Sequence, residues 1–147
     1  LSNKVMLYFD VTAFTHIMES RKPADLLTLH GGSITDYICD KDCPIAKPAR
    51  IKVAETDPVA EHQTRYSDID INGHVNSIKY IEHILDLFPI EMFKEKHIQR
   101  FEMAYVAESY YGDTLSFYKE QKETDEFDVE VKKNGSDIVA RSKVIFE

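Results

Sequence analysis

Apolar and polar residues alternate along most of the chain, which is the two-residue period of a β-strand with one buried face. The first such stretch covers residues 4–18, and its inward-facing members are Val5, Leu7, Phe9 and Val11. A second stretch is Val59 to Tyr66, and four more follow residue 100. Between the last two, Asn134-Gly135 predicts a type I′ hairpin turn, because both turn positions need positive φ.

One segment has the period of a helix instead. Apolar residues recur there at spacings of three and four, at Val75, Ile78, Ile81, Leu85 and Phe88. This stripe predicts a single long helix with one buried face, and Pro89 helps to end it.

These elements predict an α+β fold. Residues 58–147 supply one strand, one long helix and a four-strand meander, so we expect an antiparallel sheet that curls around the helix, which is the hotdog fold. Residues 1–22 are interpreted as the terminal strand of a truncated hotdog unit that precedes it, and residues 23–57, with their Gly and Pro pairs, as a linker. The start at Leu1, inside a strand-like stretch, indicates a fragment or a processed product.

The composition excludes several classes of protein. The chain is 43% hydrophobic and 30% charged, which is typical of a folded domain. No apolar run is long enough for a membrane span and no signal peptide is evident, so we expect a cytoplasmic protein that does not bind membranes. The formal charge of −8 argues against non-specific binding of nucleic acid.

The two cysteines carry little chemistry. Cys39 and Cys43 have no second Cys or His pair at zinc-ligand spacing, so neither a metal nor another cofactor is expected. Without a secretory signal, reduced thiols are the expected state.

The loop before the helix is the most informative segment. Asp68, Asp70, Asn72 and Gly73 match the opening of an EF-hand calcium loop. The twelfth position should then be a bidentate Glu, but it is Lys79, and the preceding element is a strand. Calcium binding is therefore rejected.

Two interpretations of this loop remain. Asp and Asn cap helices and stabilise turns, yet a cap needs one such residue, whereas Asp70, Asn72, His74 and Asn76 occupy every second position. In a catalytic interpretation, free N–H groups at the helix start, at Gly73 to Val75, receive an oxyanion, and His74 transfers protons near neutral pH.

The string Ser67-Asp68-Ile69-Asp70-Ile71-Asn72-Gly73-His74-Val75-Asn76 resembles the signature of acyl-acyl carrier protein (acyl-ACP) thioesterases. The resemblance implies two tandem hotdog domains and hydrolysis of fatty acyl-ACP to free fatty acid. It implies that Asp70, Asn72 and His74 are catalytic, together with Glu108 on the strand after the helix. Plant members carry Cys after that acid, where this chain has Ser109, so water activation rather than a thiol mechanism is expected.

Within this hypothesis Glu108 is the general base, His74 orients the nucleophile and shuttles its proton, Asn72 positions carbonyl or water, and Asp70 fixes the loop. Gly73, Val75 and Asn76 are expected to bind the oxyanion and the substrate. One alternative is a single-domain acyl-CoA thioesterase in which Asp70 is base or nucleophile. Another is a non-catalytic acyl-binding domain.

The expected partner is acyl carrier protein, itself acidic. The candidate docking residues are Lys79, Lys94, Lys96 and Arg100, although each of them taken singly is better interpreted as part of a solvated surface. The open sheet edge also predicts a homodimer or pairing with a second hotdog unit.

Overall fold

A computed structural model describes residue 46, residues 48–54 and residues 57–147. The strand predicted within residues 1–22 and most of the predicted linker lie outside the described residues. The described elements are β1 (Ala60–Gln63), a 3-10 helix (Tyr66–Asp68), α1 (Ser77–Leu85), α2 (Ile90–Glu95), β2 (Ile98–Tyr105), β3 (Thr114–Glu123), β4 (Glu126–Lys133) and β5 (Asp137–Phe146).

The five strands form one antiparallel sheet in the order β1-β3-β4-β5-β2. Strands β3, β4 and β5 follow each other as hairpins, as the alternation of their residues predicts. The second hairpin turns at Asn134 and Gly135, whose φ angles are 50° and 82°. Positive φ at both positions confirms the predicted turn, and the combination of sheet and helix confirms the predicted α+β class.

The core lies between one sheet face and α1. Phe117, Val129 and Val144 on the sheet belong to the same buried cluster as Tyr80 and Ile84 of the helix. Three aromatic rings close one end of this core, with the Phe88 ring centroid 5.1 Å from that of Phe127 and 5.2 Å from that of Phe146.

The buried face of α1 differs from the predicted stripe. Ile78 is 55% exposed, and Tyr80 and Ile84 are the buried residues of the helix. Tyrosine combines a large apolar ring with one polar atom, so a stripe drawn through aliphatic residues alone leaves it out. The helix reaches its C-cap at Asp86, and Pro89 is the N-cap of the short helix α2, which the sequence pattern did not predict.

The outer sheet face carries buried charge. Glu130 on β4 accepts from Arg141 on β5 at 3.0 Å, and Asp128 lies 3.4 Å from Lys143. Residues 48–54, the described end of the predicted linker, carry the buried residue Ile51, and the Ala49 N–H donates to the β2 carboxylate of Glu102 at 2.7 Å. Among the described residues, no helix combines the length and the hydropathy that a membrane span requires.

Candidate active site

The loop before α1 is folded around the carboxylate of Asp70. Its Oδ1 accepts the N–H of Asn72 at 2.8 Å and the N–H of His74 at 3.2 Å. Between them Gly73 adopts a φ of 82°, which glycine reaches without strain, and its N–H donates to the Asp70 carbonyl at 3.0 Å. Asp70 thus holds the backbone of Asn72 and His74 in place.

These contacts also stabilise the charged form of the Asp70 carboxylate. Desolvation alone would raise its pKa, but the donors at Asn72 and His74 outweigh it, and the pKa of Asp70 lies below its usual value. A carboxylate that is more acidic than usual and already accepts two N–H groups is a weak general base.

The N–H groups that were predicted to receive an oxyanion already have acceptors. Gly73 and His74 donate to Asp70, as described above, and the N–H of Val75 donates to the Ser109 carbonyl at 2.8 Å. Asn76 is a helix cap, because its side chain accepts the N–H of Ile78 at 3.0 Å. The structure therefore does not support Gly73 to Val75 as oxyanion donors, since Asp70 and Ser109 occupy them.

The hydrogen bond from the Val75 N–H to the Ser109 carbonyl also brings His74 close to Glu108. The His74 Nε2 lies 3.5 Å from the Glu108 Oε2, although the two residues come from separate parts of the chain. Glu108 is 61% exposed and also accepts from the Tyr110 hydroxyl at 3.1 Å. The Tyr110 ring meets the His74 ring edge to face, with centroids 5.2 Å apart. An imidazole and a carboxylate at this distance can pass a proton from one to the other and can bind a water molecule beside them.

A cavity of about 210 Å³ opens beside this pair. It is lined by Asp70, His74, Val75, Ser77, Tyr80, Tyr105, Ala107 and Glu108. Of the predicted site residues, the structure thus gathers Asp70, His74, Val75 and Glu108 around one space. Asn72, Gly73 and Asn76 are not among its lining residues, and the Asn72 side chain is exposed.

Two features of the cavity were not predicted. The Ser77 N–H, in the first turn of α1, donates to no acceptor within the described part of the chain. The buried hydroxyls of Tyr80 and Ser109 also lack a partner in hydrogen-bond geometry among those residues. Burial raises the pKa of the Tyr80 phenol, and the neighbouring Ser109 hydroxyl lowers it in part. A Tyr on an apolar helix face is usually core, so the sequence carries no signal for this role.

Comparison with known families supplies the context of this geometry. Residues 51–147, from the segment against the outer sheet face to the end of β5, match the acyl-ACP thioesterase C-terminal domain family. This chain belongs to that family. Glu108 lies in the connection between β2 and β3 and not, as the sequence predicted, on a strand. This connection and the loop that carries Asp70 and His74 both lie inside the matched range.

Solved structures confirm the hotdog fold of this thioesterase domain. An acyl-ACP thioesterase from Bacteroides thetaiotaomicron superimposes with a TM-score of 0.82 and 67% identity, over 90% of this chain and 53% of that one. A 12:0-ACP thioesterase from Umbellularia californica gives a TM-score of 0.69 at 21% identity, over 90% and 52% of the two chains. The chain therefore spans about half the length of these structures.

A curated relative points to the same family. The chloroplastic dodecanoyl-[acyl-carrier-protein] hydrolase of Cinnamomum camphora is 34% identical over 87 residues, which are 58% of this chain and 23% of the relative.

Proposed function

We propose that this chain hydrolyses fatty acyl-ACP thioesters to free fatty acid and carrier protein. The observation that carries the proposal is the approach of His74 Nε2 to Glu108 Oε2, 3.5 Å apart, at a cavity beside the start of α1. The relatives named as acyl-ACP hydrolases support the choice of carrier protein as the thiol partner.

In the proposed reaction a water molecule is hydrogen-bonded to the Glu108 carboxylate, beside the His74 imidazole. Glu108 accepts a proton from this water as its oxygen attacks the thioester carbon, and the carbonyl oxygen takes up the electron pair. Glu108 passes this proton to His74, whose Nε2 lies 3.5 Å from its Oε2. The oxyanion then returns the electron pair, the C–S bond breaks, and His74 delivers the proton to the leaving sulfur. The sum is one water consumed, one carboxylic acid formed and one thiol released.

The oxyanion needs a donor that the fold leaves free. The N–H of Ser77 meets this condition, since it lies at the positive end of α1 and has no acceptor among the described residues. The Tyr80 hydroxyl, unpartnered at the same cavity, is assigned as a second donor to the carbonyl or the water. Ser77 thus replaces Gly73 to Val75 in the proposed mechanism.

The acyl chain extends beyond this cavity. Ligand pockets usually enclose about 300–1,000 Å³, more than the roughly 210 Å³ found here. Exposed apolar side chains adjoin the site, among them Tyr105 and Val106 at the end of the edge strand β2. We assign these to pairing with a second hotdog unit, in the same chain or in a homodimer, that holds the acyl tail.

The test is release of free thiol from acyl-ACP, followed with a thiol-reactive dye. His74→Ala and Glu108→Gln are each expected to lower the rate about 10²-fold or more, as for a lost acid–base group. His97→Ala and Glu91→Gln, which remove exposed side chains outside the site, are the matched controls and should retain the rate. Full activity in the His74 and Glu108 variants would overturn the assignment.

The rival mechanism, with Asp70 as base or nucleophile, makes a different prediction. Asp70→Asn would then cost far more rate than His74→Ala. Because the Asp70 carboxylate already holds the N–H groups of Asn72 and His74, we expect the opposite order. Comparing the same acyl group on carrier protein and on coenzyme A separates the acyl-ACP from the acyl-CoA proposal.

A non-catalytic acyl-binding role is the second candidate, and the exposed apolar side chains beside the cavity, Tyr105 and Val106, are the observation that favours it. It predicts binding of an acyl thioester without release of thiol. Turnover by the purified chain that depends on His74 would exclude it.

Carrier docking and location complete the proposal. Of the four candidate basic residues, Lys79 pairs with Glu82 at 2.7 Å, Arg100 pairs with Glu102, and Lys96 pairs with an aspartate. Lys94 has no ion pair among the described residues, so we propose it as the first docking residue to mutate. A cytoplasmic location is also part of the proposal, although the plant relatives are chloroplastic by name.

A further inference from the structure

Two histidines and a buried aspartate converge outside the thioesterase cavity. His62 comes from β1, Asp68 from the end of the 3-10 helix and His83 from α1. The His62 Nε2 lies 2.9 Å from Asp68 Oδ2, and the His83 Nε2 lies 3.2 Å from Asp68 Oδ1. One ligand atom from each of the three residues lies within 4.8 Å of the others.

We infer that His62, Asp68 and His83 form a binding site for a divalent transition metal ion. A tetrahedral zinc ion with ligand bonds of about 2.0–2.1 Å separates neighbouring ligand atoms by about 3.3 Å. Both nitrogen–oxygen distances are within a few tenths of an ångström of that spacing. The two distances end on different oxygens of Asp68, and the three ligand atoms lie within 4.8 Å of one another, so an ion would draw the two imidazoles towards a common centre. The inference departs from the expectation that no metal binds, which rested on cysteine and histidine spacing in the sequence.

The donor set selects the class of metal. Two imidazole nitrogens and one carboxylate oxygen suit zinc and its transition-metal neighbours, whereas calcium and magnesium prefer oxygen ligands throughout. Neutral imidazoles and one carboxylate leave a net charge of +1 on a bound divalent ion. Because the Asp68 side chain is only 4% exposed, water screens its attraction to the ion weakly.

The surroundings hold the carboxylate ready and leave room for further ligands. The Arg65 N–H donates to Asp68 Oδ2 at 2.7 Å and thereby orients the carboxylate. A cavity of about 190 Å³ adjoins both imidazoles, so there is room for water to complete the coordination.

The same cluster also has a metal-free explanation, in which both imidazoles donate directly to Asp68. The two ring centroids are 4.0 Å apart with an angle of 35° between the planes. This close pair is neutral in the metal-bound form, because metal-binding imidazoles are deprotonated at the ligand nitrogen. The two explanations differ in a measurable quantity, the uptake of metal.

A metal ion at this site would stabilise the loop from Asp68 to Asn76, which precedes α1. The Asp68 carbonyl accepts the N–H of Asn76 at 2.8 Å, and Asn76 caps α1. An ion joining β1, the 3-10 helix and α1 therefore fixes both ends of the segment that carries His74. Its expected role is structural, and its detection does not require acyl-ACP hydrolysis.

The experiment is a calorimetric titration of the chelator-treated full chain with Zn²⁺. We expect uptake of one equivalent that is lost in His62→Gln and in His83→Gln. His97→Gln, an exposed histidine outside the cluster, and His74→Gln, at the active-site pair, are the controls and should retain the uptake. Saturating Zn²⁺, at about a hundred times its Kd, should raise the Tm of the wild type by about 5–10 °C.

A second measurement covers the case in which a variant misfolds. Co²⁺ added to the wild type should give the visible absorption of a four-coordinate centre, and Zn²⁺ should displace it. The inference is overturned if the wild type takes up no Zn²⁺ and gives no Co²⁺ band. It is also overturned if folded His62→Gln and His83→Gln bind Zn²⁺ as the wild type does.

Discussion

Removing the hydroxyl of Tyr80 should make the protein more stable and less active. This hydroxyl is buried and has no hydrogen-bond partner among the described residues. A buried hydroxyl without a partner costs about 1–3 kcal/mol of folding free energy. Tyr80→Phe retains the ring that packs in the core and removes that cost.

We expect a gain of about 1 kcal/mol, the lower end of that range, because the Ser109 hydroxyl nearby offsets part of the penalty. For a chain of about 150 residues this raises Tm by about 2–4 °C. If Tyr80 donates to the carbonyl or the attacking water, the loss of one neutral hydrogen bond lowers hydrolysis roughly tenfold.

Both effects of Tyr80→Phe can be measured on one preparation. Thermal unfolding by circular dichroism gives the stability, and thiol release from acyl-ACP gives the activity. Tyr105→Phe is the matched comparison, because the Tyr105 hydroxyl donates to the Ser77 carbonyl at 3.0 Å. Its loss should lower stability, by at most about 1 kcal/mol. A Tyr80→Phe variant with lower Tm and unchanged kcat would refute the reasoning, since it would show that the hydroxyl has a structural partner.

Two further predictions concern the core. Ile84→Ala should lower the free energy of unfolding in urea by about 2–5 kcal/mol, because Ile84 is fully buried between helix and sheet. Ile78→Ala, on the exposed side of α1, should lower it by less than about 1 kcal/mol. Equal losses in the two variants would contradict the assigned helix face. Burial lowers the pKa of Lys119 below 10.5, so the unfolded chain binds its proton more tightly and stability rises as pH climbs towards that value. Lys119→Met should lack this rise in denaturant unfolding at a series of alkaline pH values, and an identical pH profile would contradict it.

The sequence predicts best where structure depends on near neighbours. The turn at Asn134-Gly135 and the strands on either side follow from backbone preference and alternation, and the structure agrees. The helix was located correctly, but its buried face was misassigned because Tyr80 packs where the aliphatic stripe placed Ile78. Hydrophobicity alone does not say which way an amphipathic side chain turns.

The site depends on contacts between distant segments, which spacing does not reveal. Glu108 was placed beside His74 by family resemblance, and the structure brings the two together. The N–H of Val75 donates to the Ser109 carbonyl because the loop pairs with the connection between β2 and β3, so the free donor is Ser77 instead. The His62, Asp68 and His83 cluster is likewise invisible in sequence, because its members come from a strand, a turn and a helix.

In the proposed function His74 and Glu108 act as one unit on the thioester. The most direct measurement is the rate of thiol release from acyl-ACP by the wild type, His74→Ala, Glu108→Gln and the double variant. Residues that act together lose nearly the whole effect with the first substitution. We predict that each single change lowers kcat/KM about 10²-fold or more and that the double variant is no slower than the worse single one. Wild-type rates in the single variants, or losses that multiply in the double variant, would contradict the claim.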